Sequence, residues 1–313
     1  MIEKKPRNNR FRITRIARFS RARSALAWFL RNLEARRGDK ILLPAYIGWS
    51  PREGSGVFDP IRELGLVPVF YHMDNDLRVD HDDFHRKATE IGARFSLIIH
   101  YFGLVDDHYE GMASILRNKG VIIIEDSAHA LLTDLVGSGC GRLGDASIYS
   151  LHKILPVESG GILSVRDDSP IKNILENYAD ECECTALPWE YNLEEIARLR
   201  VRNYKYLMDK IQSLKNWMTP LRPYLKSAEI PQTFPVRVIS GSRDDLYNRM
   251  NDLGFGVVSL YHTLIDEIDR TEFKTEYGIS KNILNLPIHQ DVDLVSLDAM
   301  AASLLAIFKE QGQ

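Results

Sequence analysis

Between Ala22 and Arg36, the apolar residues Ala22, Ala25, Leu26, Phe29, Leu30 and Leu33 recur at spacings of three and four. That spacing predicts a helix with one buried face, ended by Gly38-Asp39. Short, mostly apolar runs follow at Ile41-Leu42-Leu43 (stopped by Pro44), Val67–Tyr71, Ser96–Tyr101 and Val121–Glu125. Each predicts a buried strand, and the stretches near 55–64, 80–91 and 108–118 between them predict helices. Strand, helix and strand within about 30 residues make a βαβ unit, so these strands are expected to be parallel and covered on both faces. Ala146–Leu151 and Ile162–Val165 predict two more strands, with Gly160-Gly161 turning between them. Beyond about residue 190 the texture changes. A long helix (193–213), a strand (Phe234–Ile239), a helix (243–253), a strand-like Val257–Tyr261 and a helix from 293 are expected. The pattern describes an α/β chain, with a large parallel-rich domain over 1–200 and a small C-terminal α+β domain over 201–313.

Composition narrows the function classes. The chain has 313 residues, 44% hydrophobic and 27% charged, which is ordinary globular usage. Forty basic and 43 acidic side chains give a net charge of -3, so no global field draws nucleic acid or an anionic membrane. No uncharged apolar run approaches the roughly 18 residues of a membrane span. No apolar signal-peptide core follows the first 15 residues. Three cysteines make no disulfide framework, and Cys182 and Cys184 read as free thiols. A cytoplasmic enzyme is expected. Nine Lys or Arg stand against Glu3 within residues 1–23, which reads as a solvated leader. Its last arginines could serve an anion at the helix that follows.

Two further patterns weaken under inspection. Gly137-Ser138-Gly139-Cys140-Gly141 suggests a dinucleotide loop, but it leads into Gly144-Asp145 and a strand rather than a helix. His81 and His85 lie one helical turn apart, as in zinc proteases, yet aspartate replaces the expected glutamate and no third ligand is evident. No metal is expected.

The strongest chemistry begins at Asp126, which ends a buried strand, where open α/β sheets bind ligands. It lies in Ile124-Glu125-Asp126-Ser127-Ala128-His129, ahead of an expected glycine-rich hairpin. Gly144-Asp145-Ala146-Ser147-Ile148-Tyr149-Ser150-Leu151-His152-Lys153 follows, with Gly160-Gly161 seven and eight residues past Lys153. This order resembles the DegT/DnrJ/EryC1/StrS family of pyridoxal-phosphate sugar aminotransferases. Arg23-Ser24-Ala25-Leu26, Gly38–Pro44, His100-Tyr101-Phe102-Gly103 and Leu286-Pro287-Ile288-His289 resemble other family segments in the same order. The likeness runs over nearly the whole chain.

The resemblance implies the fold-type-I architecture, with a mostly parallel seven-stranded sheet and a small C-terminal α+β domain. It implies pyridoxal 5'-phosphate as cofactor, bonded to Lys153 as a Schiff base. Asp126 would pair with the pyridinium nitrogen, and His129 would sit near the phenolic oxygen. Ser150, Ser24 and Arg23 would hold the phosphate, helped by the free N–H groups of the first helix. Trp49 would stack on the ring, and Asn192 of Tyr191-Asn192 would reach the phosphate of a neighbouring subunit. A homodimer with shared sites is thus implied. The reaction implied is ping-pong transfer of an amino group from an amino acid, L-glutamate, to a keto-sugar, nucleotide-linked in the family.

Three departures stand out. The family places its lysine five residues after the strand serine, and here the gap from Ser150 is three. The region 168–200 is shortened. Leu193-Glu194 stands where the subunit-crossing segment has Arg-Met. Alternatives are another pyridoxal-phosphate reaction such as dehydration, or a non-catalytic member that binds cofactor or sugar. Dehydrating relatives carry histidine at the Schiff-base position, so Lys153 favours transamination.

Overall fold

The computed structural model describes residues 15–176, 178–179 and 187–311. Cys182, Cys184 and the basic residues up to Arg12 lie outside them. The strands are β1 (Ile16–Phe19), β2 (Lys40–Pro44), β3 (Val67–Tyr71), β4 (Phe95–Ile99), β5 (Ile122–Asp126), β6 (Ala146–Ser150), β7 (Gly161–Val165), β8 (Met218–Pro220), β9 (Phe234–Val238) and β10 (Ile283–Leu286). The α-helices are α1 (Ala22–Asn32), α2 (Phe58–Glu63), α3 (His81–Glu90), α4 (Tyr109–Asn118), α5 (Leu131–Leu135), α6 (Leu193–Ile211), α7 (Arg243–Asp252), α8 (Lys274–Asn282) and α9 (Leu294–Gln311).

Seven strands form one sheet in the order β1-β7-β6-β5-β4-β2-β3. The pairs from β3 across to β6 are parallel, as the βαβ spacing requires. The β6–β7 and β7–β1 pairs are antiparallel. A second sheet, β10-β9-β8, packs with α6, α7 and α9 around Leu207, Phe234, Leu286, Leu304 and Phe308. Burial is deepest in the middle of the large sheet: Ile41, Leu42, Leu43, Leu97 and Ile124 are sealed from solvent. Each side chain of that size contributes about 1.5–3 kcal/mol by leaving water.

Four local expectations change. The leader read as solvated ends in β1, an edge strand on which Ala17 is buried while Arg18 alternates outward. Charged residues on an edge strand are a common guard against further pairing, and they masked the strand. The segment after Asp126 is not a hairpin but α5 and a tight turn, because Leu131, Leu132 and Leu135 find a buried pocket of their own. Val257–Tyr261 makes one bridge, Val258 to Asn285, instead of a strand, and Tyr261 turns left-handed at φ 61°. Finally, α8 and β10 were not anticipated. Their apolar residues Ile279 and Ile283 return to the large core beside Leu264, Ile265 and Phe273. The expected division at 200/201 falls within α6. That helix starts against α5 through Leu193 and Ala197, and ends in the second core through Leu207 and Ile211.

Among the described residues, no helix is long and apolar enough to cross a membrane. Nor do three or more His, Cys, Asp or Glu side chains there gather as a metal would need.

Candidate active site

A cavity of about 470 Å³ opens where β5 and β6 end and α1 begins. That volume suits a cofactor with part of a substrate. Asp126, His129, Ser150, Lys153, Trp49 and Arg23 all line it.

Asp126 is placed by the last hydrogen-bonded position of β5, opposite Ile148 of β6. Its Oδ1 accepts the Ala128 N–H at 2.9 Å. Burial pushes its pKa up, against the pull of the Lys153 amine. A cationic ring nitrogen in the cavity would reverse that burden by pairing with the carboxylate. Lys153 closes a one-turn 3-10 helix, Leu151–Lys153, directly after β6. This compact turn brings the lysine into the cavity despite the three-residue gap from Ser150. Lys153 is exposed to the cavity, with His129 against its amine. Burial lowers its pKa, while Asp126 and Glu53 favour the charged form.

His129 Nε2 lies 3.0 Å from Lys153 Nζ. Burial, then the neighbouring Lys153, pushes the imidazole well below its ordinary pKa. Ser150 is buried at the end of β6, with its Oγ 3.4 Å from His152 Nδ1. Trp49 is 38% exposed on the cavity rim, and its backbone N–H donates to the Thr263 carbonyl.

The start of α1 fits an anion. Arg21 precedes it in extended conformation, no side chain caps the helix, and its first turn holds no acid. Arg21 and Arg23 both border the cavity, and Arg23 lies 3.5 Å from Asp59. Gly161 of β7 explains one half of the Gly-Gly pair: a Cβ there would lie 2.4 Å from the Arg21 carbonyl carbon. Its missing side chain lets the sheet run against the helix start. An uncapped helix terminus, a half-buried carboxylate and an amine that opens inward around one cavity match a phosphorylated pyridine aldehyde.

Two expected residues lie elsewhere. Ser24 is not on the cavity wall, and its N–H turns to the Arg21 carbonyl at 3.1 Å. Asn192 caps α6 by accepting the Glu195 N–H at 3.3 Å and does not line the cavity.

Other residues were missed. Arg21, Glu53, Tyr261 and His262 also line the site. Tyr261 and His262 come from 111 and 112 residues past the end of β6 at Ser150, and no local motif marks them. Glu125, next to Asp126, is sealed from solvent. It accepts from His100 Nε2 and the Tyr109 hydroxyl, each at 2.7 Å, and from the N–H groups of Gly141, Leu143 and Gly144. Burial opposes its charge, but these bonds outweigh it and hold its pKa below the usual range. It therefore pins the 141–144 turn beneath the site.

Comparison with known proteins bears on these features. The sequence profile described as the DegT/DnrJ/EryC1/StrS aminotransferase family matches residues 16–180. GDP-perosamine synthase of Caulobacter vibrioides is 22% identical over 302 residues, covering 85% of this chain and 78% of that protein. A dTDP-4-dehydro-2,3,6-trideoxy-D-glucose 4-aminotransferase of Saccharopolyspora spinosa is 30% identical over 147 residues. That match spans 46% of this chain and 36% of the relative. Among solved structures, GDP-4-keto-6-deoxy-D-mannose-3-dehydratase from E coli, with bound hydrated PLP, superposes with a TM-score of 0.75. It covers 94% of this chain and 88% of that one at 17% identity, a likeness of fold.

Proposed function

Because the chain belongs to the DegT/DnrJ/EryC1/StrS aminotransferase family, we propose that it transfers an amino group from L-glutamate to a nucleotide-linked keto-sugar. It is a pyridoxal-phosphate-dependent aminotransferase, with pyridoxal 5'-phosphate as its cofactor. Its relatives named above act on GDP- and dTDP-linked sugars, which supports the acceptor class. The observation that carries the reading is Lys153 itself, an amine with a lowered pKa that opens onto the same cavity as the half-buried Asp126.

When bound, the cofactor supplies an aldehyde carbon for the travelling amino group and a ring that takes up electrons. Lys153 Nζ would hold it covalently at that carbon. Asp126 would keep a proton on the ring nitrogen by its charge. The helix start of α1, Arg23 and Ser150 would hold the phosphate, and Trp49 would cover the ring. His129 would donate to the phenolic oxygen. Freed by the incoming donor, Lys153 would carry the proton between the donor's α-carbon and the cofactor carbon, as a general base and then a general acid. Arg21, a cation on the cavity rim, suits a donor carboxylate. The two half-reactions share one site in turn, which makes the kinetics ping-pong.

Glutamate alone should bleach the visible band of the loaded protein and release 2-oxoglutarate in one stoichiometric burst. A keto-sugar should restore the band. If no amino acid in a broad panel bleaches it, transamination is wrong, and cofactor binding without it takes its place.

We also propose a homodimer in which Asn192 completes the partner's site. Asn192 caps α6 and is not among the residues lining this chain's own cavity, which leaves that role open. Mixing Lys153→Ala chains with Asn192→Ala chains should restore part of the activity, since one of two composite sites is then intact. Asn192→Asp, which keeps a helix cap, separates the loss of about 1 kcal/mol of capping from loss of the site. No recovery despite subunit exchange would contradict the sharing.

A further inference from the structure

Two bulky residues are held left-handed, and both press on His129. Phe102 has φ 58° and Tyr261 has φ 61°, a conformation ordinary side chains avoid. The Phe102 ring stacks on the imidazole at 5.8 Å and 20°, and the Tyr261 ring meets it edge-on at 5.8 Å. Such clustered outliers around one side chain point to a constraint that the surrounding structure enforces.

The constraint is a hydrogen bond. The Phe102 backbone N–H donates to His129 Nδ1 at 3.3 Å. A backbone N–H cannot accept, so Nδ1 must present its lone pair. The donor is itself clamped. The Gln232 N–H holds the Phe102 carbonyl at 2.7 Å, and the Thr133 hydroxyl holds the Gly103 carbonyl at 2.7 Å. Gly103 at φ 85° has no room for a side chain, because a Cβ would lie 2.5 Å from the Ile230 carbonyl oxygen.

We propose that the Tyr101–Gly103 turn fixes His129 as the tautomer protonated on Nε2, making it a permanent hydrogen-bond donor that holds Lys153 as the neutral amine. With Nδ1 accepting, the one proton of a neutral imidazole sits on Nε2, which faces Lys153 Nζ at 3.0 Å. An ammonium there would set donor against donor, whereas a neutral amine offers its lone pair. The alternative, Nδ1–H with an ammonium donating to Nε2, would turn Nδ1–H against the Phe102 N–H. An imidazolium is disfavoured too, by burial. Asp126 at the end of β5 and Glu53 pull towards the charged amine and Arg23 pushes against it, while Tyr261 and His262 are the titratable groups of the loop above. Phe102 and Gly103 are thus positioning residues that act through His129. The consequence for catalysis rests on Lys153 as the cofactor lysine; the tautomer does not.

The test uses full-length protein labelled with 15N-histidine, without added donor or acceptor. His129 is assigned as the signal lost in His129→Gln. Its proton is expected on Nε2 and unchanged across about pH 5 to 8, where an ordinary histidine changes charge. A proton on Nδ1, or a His129 that titrates in that range, overturns the proposal whatever reaction the enzyme catalyses. As a second readout, Gly103→Ala should mix the tautomers. It should also slow borohydride-trapped capture of pyridoxal phosphate by Lys153 near pH 7 by about tenfold, equal to a one-unit rise in the amine's pKa. Folded Gly103→Ala with an unmixed tautomer and unchanged capture would contradict it. If that variant does not fold, the wild-type spectrum decides alone.

Discussion

Lys153→Ala is expected to leave a folded protein with no measurable transamination, a fall of at least about 10³-fold, within the range for removing a positioned acid–base group. The substitution removes both the covalent hold on the cofactor and the base that moves the donor's α-proton, so its cost exceeds that of either role. Folding should survive, because the lysine opens onto the cavity and, among the described residues, its short polar contact is to His129 Nε2. Free methylamine offers a sharper check: added to the variant, it should restore a small concentration-dependent rate by supplying the missing amine. A variant with more than about a tenth of wild-type turnover would move the base to another residue.

Asp126→Asn is expected to keep the shape of the site and lose about 10²–10³-fold in turnover, comparable to removing another preorganised charge from an active site. The asparagine can still accept the Ala128 N–H that Asp126 accepts at 2.9 Å, so the strand end should hold its place. What disappears is the negative charge that keeps the ring nitrogen protonated. Cofactor binding should fall far less than turnover, and near-normal turnover would make Asp126 a structural residue. The neighbour Glu125 gives the contrast. Its carboxylate holds the 141–144 turn through three N–H groups, so its loss should appear as instability.

The large sheet was legible because its central strands are buried on both faces and separated by helix-length gaps. β2, β4 and β5 read as mostly apolar runs for that reason. Strand β1 was not legible, because an edge strand carries charge and its partner β7 lies far along the chain. Asp126, His129, Ser150 and Lys153 occupy one contiguous stretch ordered by β5, β6 and their loops, so their meeting in one cavity could be anticipated. Tyr261 and His262 could not, since they reach the site through a loop whose left-handed turn breaks the strand its pattern suggested. Ser24 shows the same limit at shorter range. Helix α1 was placed well, but which of its first residues faces the cavity depends on where Arg21 ends the extended chain.

The central claim is that Lys153 carries the cofactor. Purified protein loaded with pyridoxal phosphate, reduced with borohydride and cut into peptides measures this directly. One label on the peptide containing Lys153, in about one equivalent per chain, is the result expected of a single covalent amine site. A label on another lysine, or none despite bound cofactor, would contradict it.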